Sequence, residues 1–563
     1  MNSMSTKCVV LLLTAVAALA GCEGSTTPSG TATSKPEDAA QRELVGKTLL
    51  DGAVDMLNRT DAFDERQTDV TIEHIVRQLN ESLVMLGATK EGERFTVDDG
   101  KVLREIVWIR DAARLAVGPT TDSLERATRM FDWTVRNIQL VPDDAPPETA
   151  PPQLPWHTLL LGRGTALEQA WLFQLMARQQ GLNVVLLAYP GSTIDAKPHW
   201  WCAALLLDGE LYLFDVRIGL PIPVPGGAKV ATLKQVAADD KLLRALDLPG
   251  GEPYPVKAAD VAQMIALCET SSVYQSPLFA TLQRELANVE PLVLAANVPE
   301  LLASAGKSPH IVKAQPWPMR DLRYAATRDP AVYKQLDQLI RPFRLPEREM
   351  LREGTRVAPP LWTARIRHFS GKFQDSSGNS TWGKLYQEAR PAEEDLAQVK
   401  VHFETWEGLL RMKQHATYWL GVAALEQGSY EAAENYFQLV LKDDVNGGWT
   451  VGARYNCGRA FEADGKPAEA IAMYRSSPLG VPPDLRALYR ARRLEGTAVA
   501  KSVPPTPAAT PTATATAKPA PSATPAPAAT PNPSATAPRP TATASPTPSA
   551  TPRPTASPTA GKP

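Results

Sequence analysis

Apolar residues recur at three- and four-residue steps through Ala39 to Leu57 and through Thr71 to Leu86, which predicts two amphipathic helices. A third is predicted from about Asp98 to Ala116, with Val102, Ile106, Ile109 and Ala113 on one face. Residues 41–120 therefore read as an N-terminal helical region. Asp122 with Glu125 three residues later marks a further helix start, and Ala127, Phe131, Thr134 and Ile138 follow on one face. That pattern stops at the prolines from Pro142 onward. A helix is predicted again over Ala166 to Gln180, ended by Gly181.

The period then changes to that of strands: Asn183 to Tyr189, a turn at Pro190-Gly191-Ser192, Trp200 to Leu207, and Glu210 to Val216. Asp208-Gly209 between the last two is a hairpin signal. Both faces of these strands are largely apolar, so the sheet is expected to be covered on both sides. A two-residue turn pairs Leu207 with Glu210, and hence Cys202 with Asp215. His199 then faces away from Asp215 unless a bulge or a wider turn intervenes.

Residues 226–392 are expected to be mostly helical, with helices at Ala258 to Cys268, Pro277 to Val289 and Asp329 to Ile340 and a fixed loop at Pro316-Trp317-Pro318. Arg320, Arg323, Arg328, Arg341, Arg344, Arg348, Arg352 and Arg356 read as a solvated helix face, with contact to an anionic polymer as the sharper option. Farther on, Gly421, Gly428, Ala433 and Phe437 are repeated 37 residues later by Gly458, Gly465, Ala470 and Tyr474. These positions resemble the packing residues of tetratricopeptide repeats, whose period is about 34. The resemblance covers residues 393–496 and implies an all-α array with a surface for a protein or peptide partner; an array that is only a spacer is the alternative. Gly371-Lys372-Phe373 before Tyr386 suggests a degenerate third copy, and Asp484 to Leu494 a capping helix.

Composition sets the outer limits. The chain has 563 residues, 44% of them hydrophobic, and a formal net charge of −2, which argues against a nucleic-acid-binding protein. Val9 to Ala20 is an apolar run behind Lys7, too short to span a bilayer, and reads as an export signal over residues 1–21. It ends in Leu19-Ala20-Gly21-Cys22, which resembles the lipobox of bacterial lipoproteins. The resemblance implies acylation of Cys22, a flexible tether over residues 22–40, and anchoring to a bacterial membrane on its periplasmic or outer-surface side. Of 51 prolines, 18 fall in the last 62 residues, so residues 497–563 are expected to be a disordered Pro/Thr/Ala-rich tail. Cys202, Cys268 and Cys457 allow at most one disulfide, and no spacing suggests a metal or a cofactor.

The order of a helix, Gly181-Leu182 and a strand, followed by His199-Trp200-Trp201 and Leu213-Phe214-Asp215, resembles the transglutaminase-like branch of the papain-like fold. This covers roughly residues 121–225. The fold class implied is thus multidomain, with an α+β transglutaminase-like domain followed by all-α repeats. In that family a Cys opens the helix as nucleophile, a His is its base and an Asp orients the His. Here His199 and Asp215 match, but Ala166 stands where the Cys is expected, and a methyl group cannot attack a carbonyl. Thr165 is adjacent with no base in evident reach, and Cys202 reads as core packing. The expectation is an envelope-anchored binding or scaffold lipoprotein with an inactive domain. The alternatives are an enzyme acting on peptide or isopeptide bonds through His199 and Asp215, and a purely structural protein.

Overall fold

The computed structural model describes residues 36–59, 65–90, 92–143, 145–146, 149–190, 199–224, 229–345, 361–374, 382–398, 400–443, 447–477 and 484–502. The expected signal, Cys22, residues 22–35 of the tether, the 503–563 part of the tail, and Arg348, Arg352 and Arg356 lie outside the described residues; residues 36–40 of the expected tether and 497–502 of the expected tail are helical instead, as continuations of the helices beside them.

Helices α1 (Pro36–Arg59) and α2 (Glu65–Met85) pack as a hairpin onto α3 (Val97–Val117). Thr96 and Asp99 cap α3 reciprocally, the Asp99 amide donating to Thr96 Oγ1 and the Thr96 amide to Asp99 Oδ2. A Cβ at Gly100 would stand 2.6 Å from Ile72, so glycine is what lets α2 and α3 meet there. The pattern predicts one buried face for α3. Instead Leu103 to Ala113 is buried all round, charged residues included, because helices and loops surround it.

Next come α4 (Ser123–Asn137), β1 (Gln139–Leu140), α5 (Pro155–Leu161), β2 (Arg163–Gly164) and α6 (Ala166–Gln179). Asp122 accepts from the Glu125 amide at 2.7 Å and starts α4 where expected. β1 and β2 form a two-residue parallel ladder, and Gly181, at φ 69°, ends α6.

The main sheet uses β3 (Asn183–Ala188), β4 (Trp200–Leu207), β5 (Glu210–Asp215), β6 (Leu220–Pro221), β7 (Met264–Glu269) and β8 (Ile311–Trp317), in the order β6-β5-β4-β3-β7-β8. All neighbours are antiparallel except β7 and β8. Asp208 and Gly209 both take positive φ, as a type I′ turn requires, and Leu207 pairs with Glu210. Two corrections arise here. The helix expected through Cys268 is only a short 3-10 turn at Ala258–Val261 followed by strand β7, and the loop expected at Pro316 is the end of strand β8. β7 is buried at all six positions, and a short continuous apolar run cannot be told from a helix by period alone. Pro316 is tolerated because β8 is an edge strand.

Each face of the sheet carries its own core. Leu186, Ala203 and Phe214 face α6, α3 and α4. Val185, Cys202 and Leu213 face α7 (Leu233–Ala238), α8 (Lys241–Arg244) and α10 (Val298–Gly306), the last reached through α9 (Pro277–Leu286). Cys202, Cys268 and Cys457 are buried free thiols.

The rest is helical: α11 (Met319–Thr327), α12 (Pro330–Arg344), α13 (Leu361–Phe369), α14 (Trp382–Ala389), α15 (Glu393–Gln398), α16 (Phe403–Glu426), α17 (Tyr430–Asp443), α18 (Thr450–Ala463), α19 (Pro467–Arg475) and α20 (Leu485–Ser502). Gly421 of α16 lies against Phe437 of α17, and Gly458 of α18 lies against Tyr474 of α19, so one contact recurs in two successive hairpins. Among its described members the basic run is only in part a solvated face, Arg341 being partly exposed beside Glu404 at 3.6 Å. Arg320 is buried against Glu105, Arg323 lies 3.6 Å from Glu168, and Arg344 is 2.5 Å from Asp337; Arg328 is exposed. Carboxylates already fixed in α3, α6 and α12 draw these guanidinium groups inward.

The hairpins pack on α4 and β1. Asp132 receives Arg459 at 2.7 and 3.2 Å, Asn137 donates to Glu426 at 2.7 Å, and Gln139 exchanges bonds with Gly448 and Gly452. Arg486 of α20 reaches Gln169 of α6 at 2.5 Å.

Candidate functional site

Of the three positions that the family resemblance singles out, Ala166 is set apart from the other two. Ala166 is 1% exposed and belongs to the core between α6 and the sheet. Thr165, before it, is the helix cap: its hydroxyl accepts from the Glu168 amide, and its own amide donates to Glu168 Oε2 at 2.9 Å. Glu168 Oε1 in turn accepts the Gln153 amide at 3.0 Å. The helix start is thus sealed by its own capping box and the loop before α5. Thr165 Oγ1 is engaged in that box, its hydroxyl donating to Glu168 Oε2 at 3.2 Å.

Asp215 lies on the other side of the sheet. It is 3% exposed, and its carboxylate accepts from the Tyr254 hydroxyl at 2.6 Å and the Arg217 amide at 2.9 Å. The Trp201 indole N–H donates to Tyr254 at 2.8 Å, which closes a buried chain of three side chains. Burial raises the Asp215 carboxyl above its usual range, although Tyr254 and Arg217 pull the other way. Burial and the neighbouring carboxylate push Tyr254 well up, and they do the same to the Cys202 thiol, which is thus a core residue and not a thiolate.

The phase of His199 is corrected by the fold. Leu186 pairs with Ala203 but Ala188 with Trp200, so Trp201 and Cys202 together oppose Leu187. This bulge sends both into the second core and flips the alternation of the residues before them. His199 accordingly comes to the side of Tyr189, a residue packed on that same core, with the two rings 4.6 Å apart. His199 is exposed, whereas the Asp215 carboxylate is held by Tyr254. Both lie away from Ala166, with the sheet between.

The large opening is elsewhere. A cavity of about 720 Å³ lies among α3, the start of α5, α11, α12 and α13. Its wall carries the Arg320–Glu105 ion pair, Arg104, and His157, whose ring stacks on Trp156 at 3.7 Å. Burial pushes Glu105 up, with Arg320 opposing, and lowers His157 to about 3, so His157 is neutral and accepts the Leu154 amide through Nδ1. Of these residues only Arg320 was singled out from sequence, and there as part of a solvated basic run. A readable signal was present: Arg104-Glu105 sits between Leu103 and Ile106 inside an apolar helical window, where charges imply burial with a purpose. Among the described residues no His/Cys/Asp/Glu group could hold a metal ion, and no helix is long and apolar enough to cross a membrane.

No curated protein and no solved structure matches the chain. Residues 110–215 match the transglutaminase-like superfamily, a stretch that runs from within α3 to the last residue of β5. This part of the chain is a transglutaminase-like domain, set in a mixed sheet and a helix-rich surround.

Proposed function

We propose that the protein is an exported, lipid-anchored binding protein of the bacterial envelope whose transglutaminase-like domain does not catalyse. The observation that carries this is Ala166, buried at the start of α6 where the resemblance asks for an exposed thiol. The separation of Ala166 from Asp215 by the sheet supports it further. The Leu19-Ala20-Gly21-Cys22 box supports the anchor, with Cys22 as the acylated residue.

The tetratricopeptide-type reading of α16 to α19 is supported by the Gly421–Phe437 and Gly458–Tyr474 contacts at equal spacing. α16 and α18 are spent on the chain's own α4, β1, α12 and α13. A peptide or protein partner at the repeats is therefore assigned to the outer row, α17 and α19.

The test is an assay of ammonia release and isopeptide formation by the mature protein on glutamine- and lysine-containing peptides. Rates equal to buffer are expected, for the wild type and for His199→Ala alike. Turnover that His199→Ala or Asp215→Asn abolishes would hand the domain to the enzyme reading. Palmitate labelling in the native host should be lost in Cys22→Ala.

A further inference from the structure

The charges around the 720 Å³ cavity are nearly all accounted for. Arg320 pairs with Glu105, Lys101 with Asp69 at 3.1 Å and Arg344 with Asp337 at 2.5 Å. Asp321 accepts from the Ser272 amide and hydroxyl at 2.9 and 2.8 Å, and Asp98 accepts from the Tyr324 hydroxyl at 3.1 Å. Arg328 is exposed and donates to the Tyr324 hydroxyl at 3.1 Å. Arg104 is the buried exception. It lines the cavity at 9% exposure, its guanidinium stacks over the Trp108 ring at 4.8 Å, and its Nε has no hydrogen-bond partner. Among the described residues no hydrogen bond or ion pair takes any of its donors. Burial lowers its pKa to about 10, with Asp69 and Glu105 only partly offsetting, which still leaves it charged at neutral pH.

A buried guanidinium with an open fork is costly unless something completes it. Carboxylates and phosphates match that fork in two parallel hydrogen bonds. Between these charges the wall carries aromatic side chains: Trp108 under the Arg104 guanidinium, Trp156 and Phe279, with Tyr324 and Tyr333 partly exposed. The volume is within the range of small-molecule sites, about 300–1,000 Å³.

We propose that this cavity binds a small organic anion, with Arg104 pairing its carboxylate or phosphate and the aromatic wall holding its body. The proposal rests on the binding reading above but not on the inactivity of the domain: ammonia release would overturn the latter without touching this site.

The experiment is calorimetric titration of the mature protein with N-acetylphenylalanine, its uncharged amide, phenyl phosphate and inorganic phosphate. At least one of the two organic anions should bind about tenfold or more tightly than the amide, as one charge-assisted pairing implies. Which of the two is tighter identifies the headgroup. Arg104→Met should abolish the preference while raising the melting temperature of the ligand-free protein, because it removes an unpaired buried charge. Arg104→Lys keeps the charge but not the fork, and should lose most of the affinity with the fold intact. Equal binding of anion and amide, inorganic phosphate as tight as phenyl phosphate, or a fall in melting temperature on Arg104→Met with no anion preference in the wild type would each overturn the proposal.

Discussion

The Tyr254 hydroxyl donates to the Asp215 carboxylate across 2.6 Å, on the face of the sheet turned away from Ala166. An aspartate that the family resemblance assigns to orienting a catalytic imidazole here anchors a tyrosine from the loop before β7. Tyr254→Phe removes that donor and also leaves the Trp201 N–H without its acceptor. We expect a loss of about 2–4 kcal/mol at pH 7, since two buried groups go short. The sign with pH is fixed by the raised carboxyl. A group whose folded pKa is raised contributes stability below its unfolded pKa and loses it as pH rises through the folded value. Removing a donor enlarges the rise, so the deficit of Tyr254→Phe should be smaller at pH 4 than at pH 7 in urea unfolding.

Ala166→Cys should not restore thiol chemistry. The new side chain would lie in the first core under α6, with neither Asp215 nor His199 on its side of the sheet. A disulfide reagent should find no additional reactive thiol in the native variant relative to wild type, and one more in guanidinium. A fast-reacting extra thiol with ammonia release from glutamine peptides would contradict the burial argument directly.

Much of this arrangement was legible in the sequence, and the parts that were not share a cause. Asp122, Gly181 and Asp208-Gly209 are local signals, and the elements they bound lie where they predict. The bulge at Trp201-Cys202 is not local: it is set by how β4 meets β3, so the phase of His199 could be posed as a problem but not solved. β7 was unreadable because burial on both faces erases the alternation that marks a strand. The partners of Arg320 lie about two hundred residues away on α3, so a count of arginines could not tell a solvated face from a buried pair.

Gly162 should be intolerant of any side chain. It ends α5 at φ 62°, and a Cβ there would stand 2.1 Å from the Trp419 ring of α16. Gly162→Ala therefore meets both a left-handed backbone and a rigid indole. A loss of about 2–4 kcal/mol is expected from strain and overpacking together. The reading is the denaturation midpoint; Gly181→Ala, which has left-handed backbone but open space around it, is the control and should cost less.

Asp132 ties α4 to the last helices. Arg459 approaches it in a fork, Arg136 lies at 3.0 Å, and Arg490 at 4.0 Å. Burial opposes its ionisation, but the three guanidinium groups outweigh that and hold the carboxyl well below the usual range. A depressed carboxyl contributes stability above its unfolded pKa of about 4 and loses it as pH falls through the folded value. Its side chain is still 34% exposed, so solvent screens the cluster and tempers the magnitude. Asp132→Asn should cost about 1–2 kcal/mol at pH 7, with the gap to wild type closing as pH falls from 5 toward 2. The same cluster argues that the hairpins and the transglutaminase-like domain unfold together. Wild type should show one calorimetric transition, and Asp132→Asn should shift it without splitting it. Two resolved transitions in the wild type would mean that the α4 contacts with Arg459 and Arg490 do not couple the two parts.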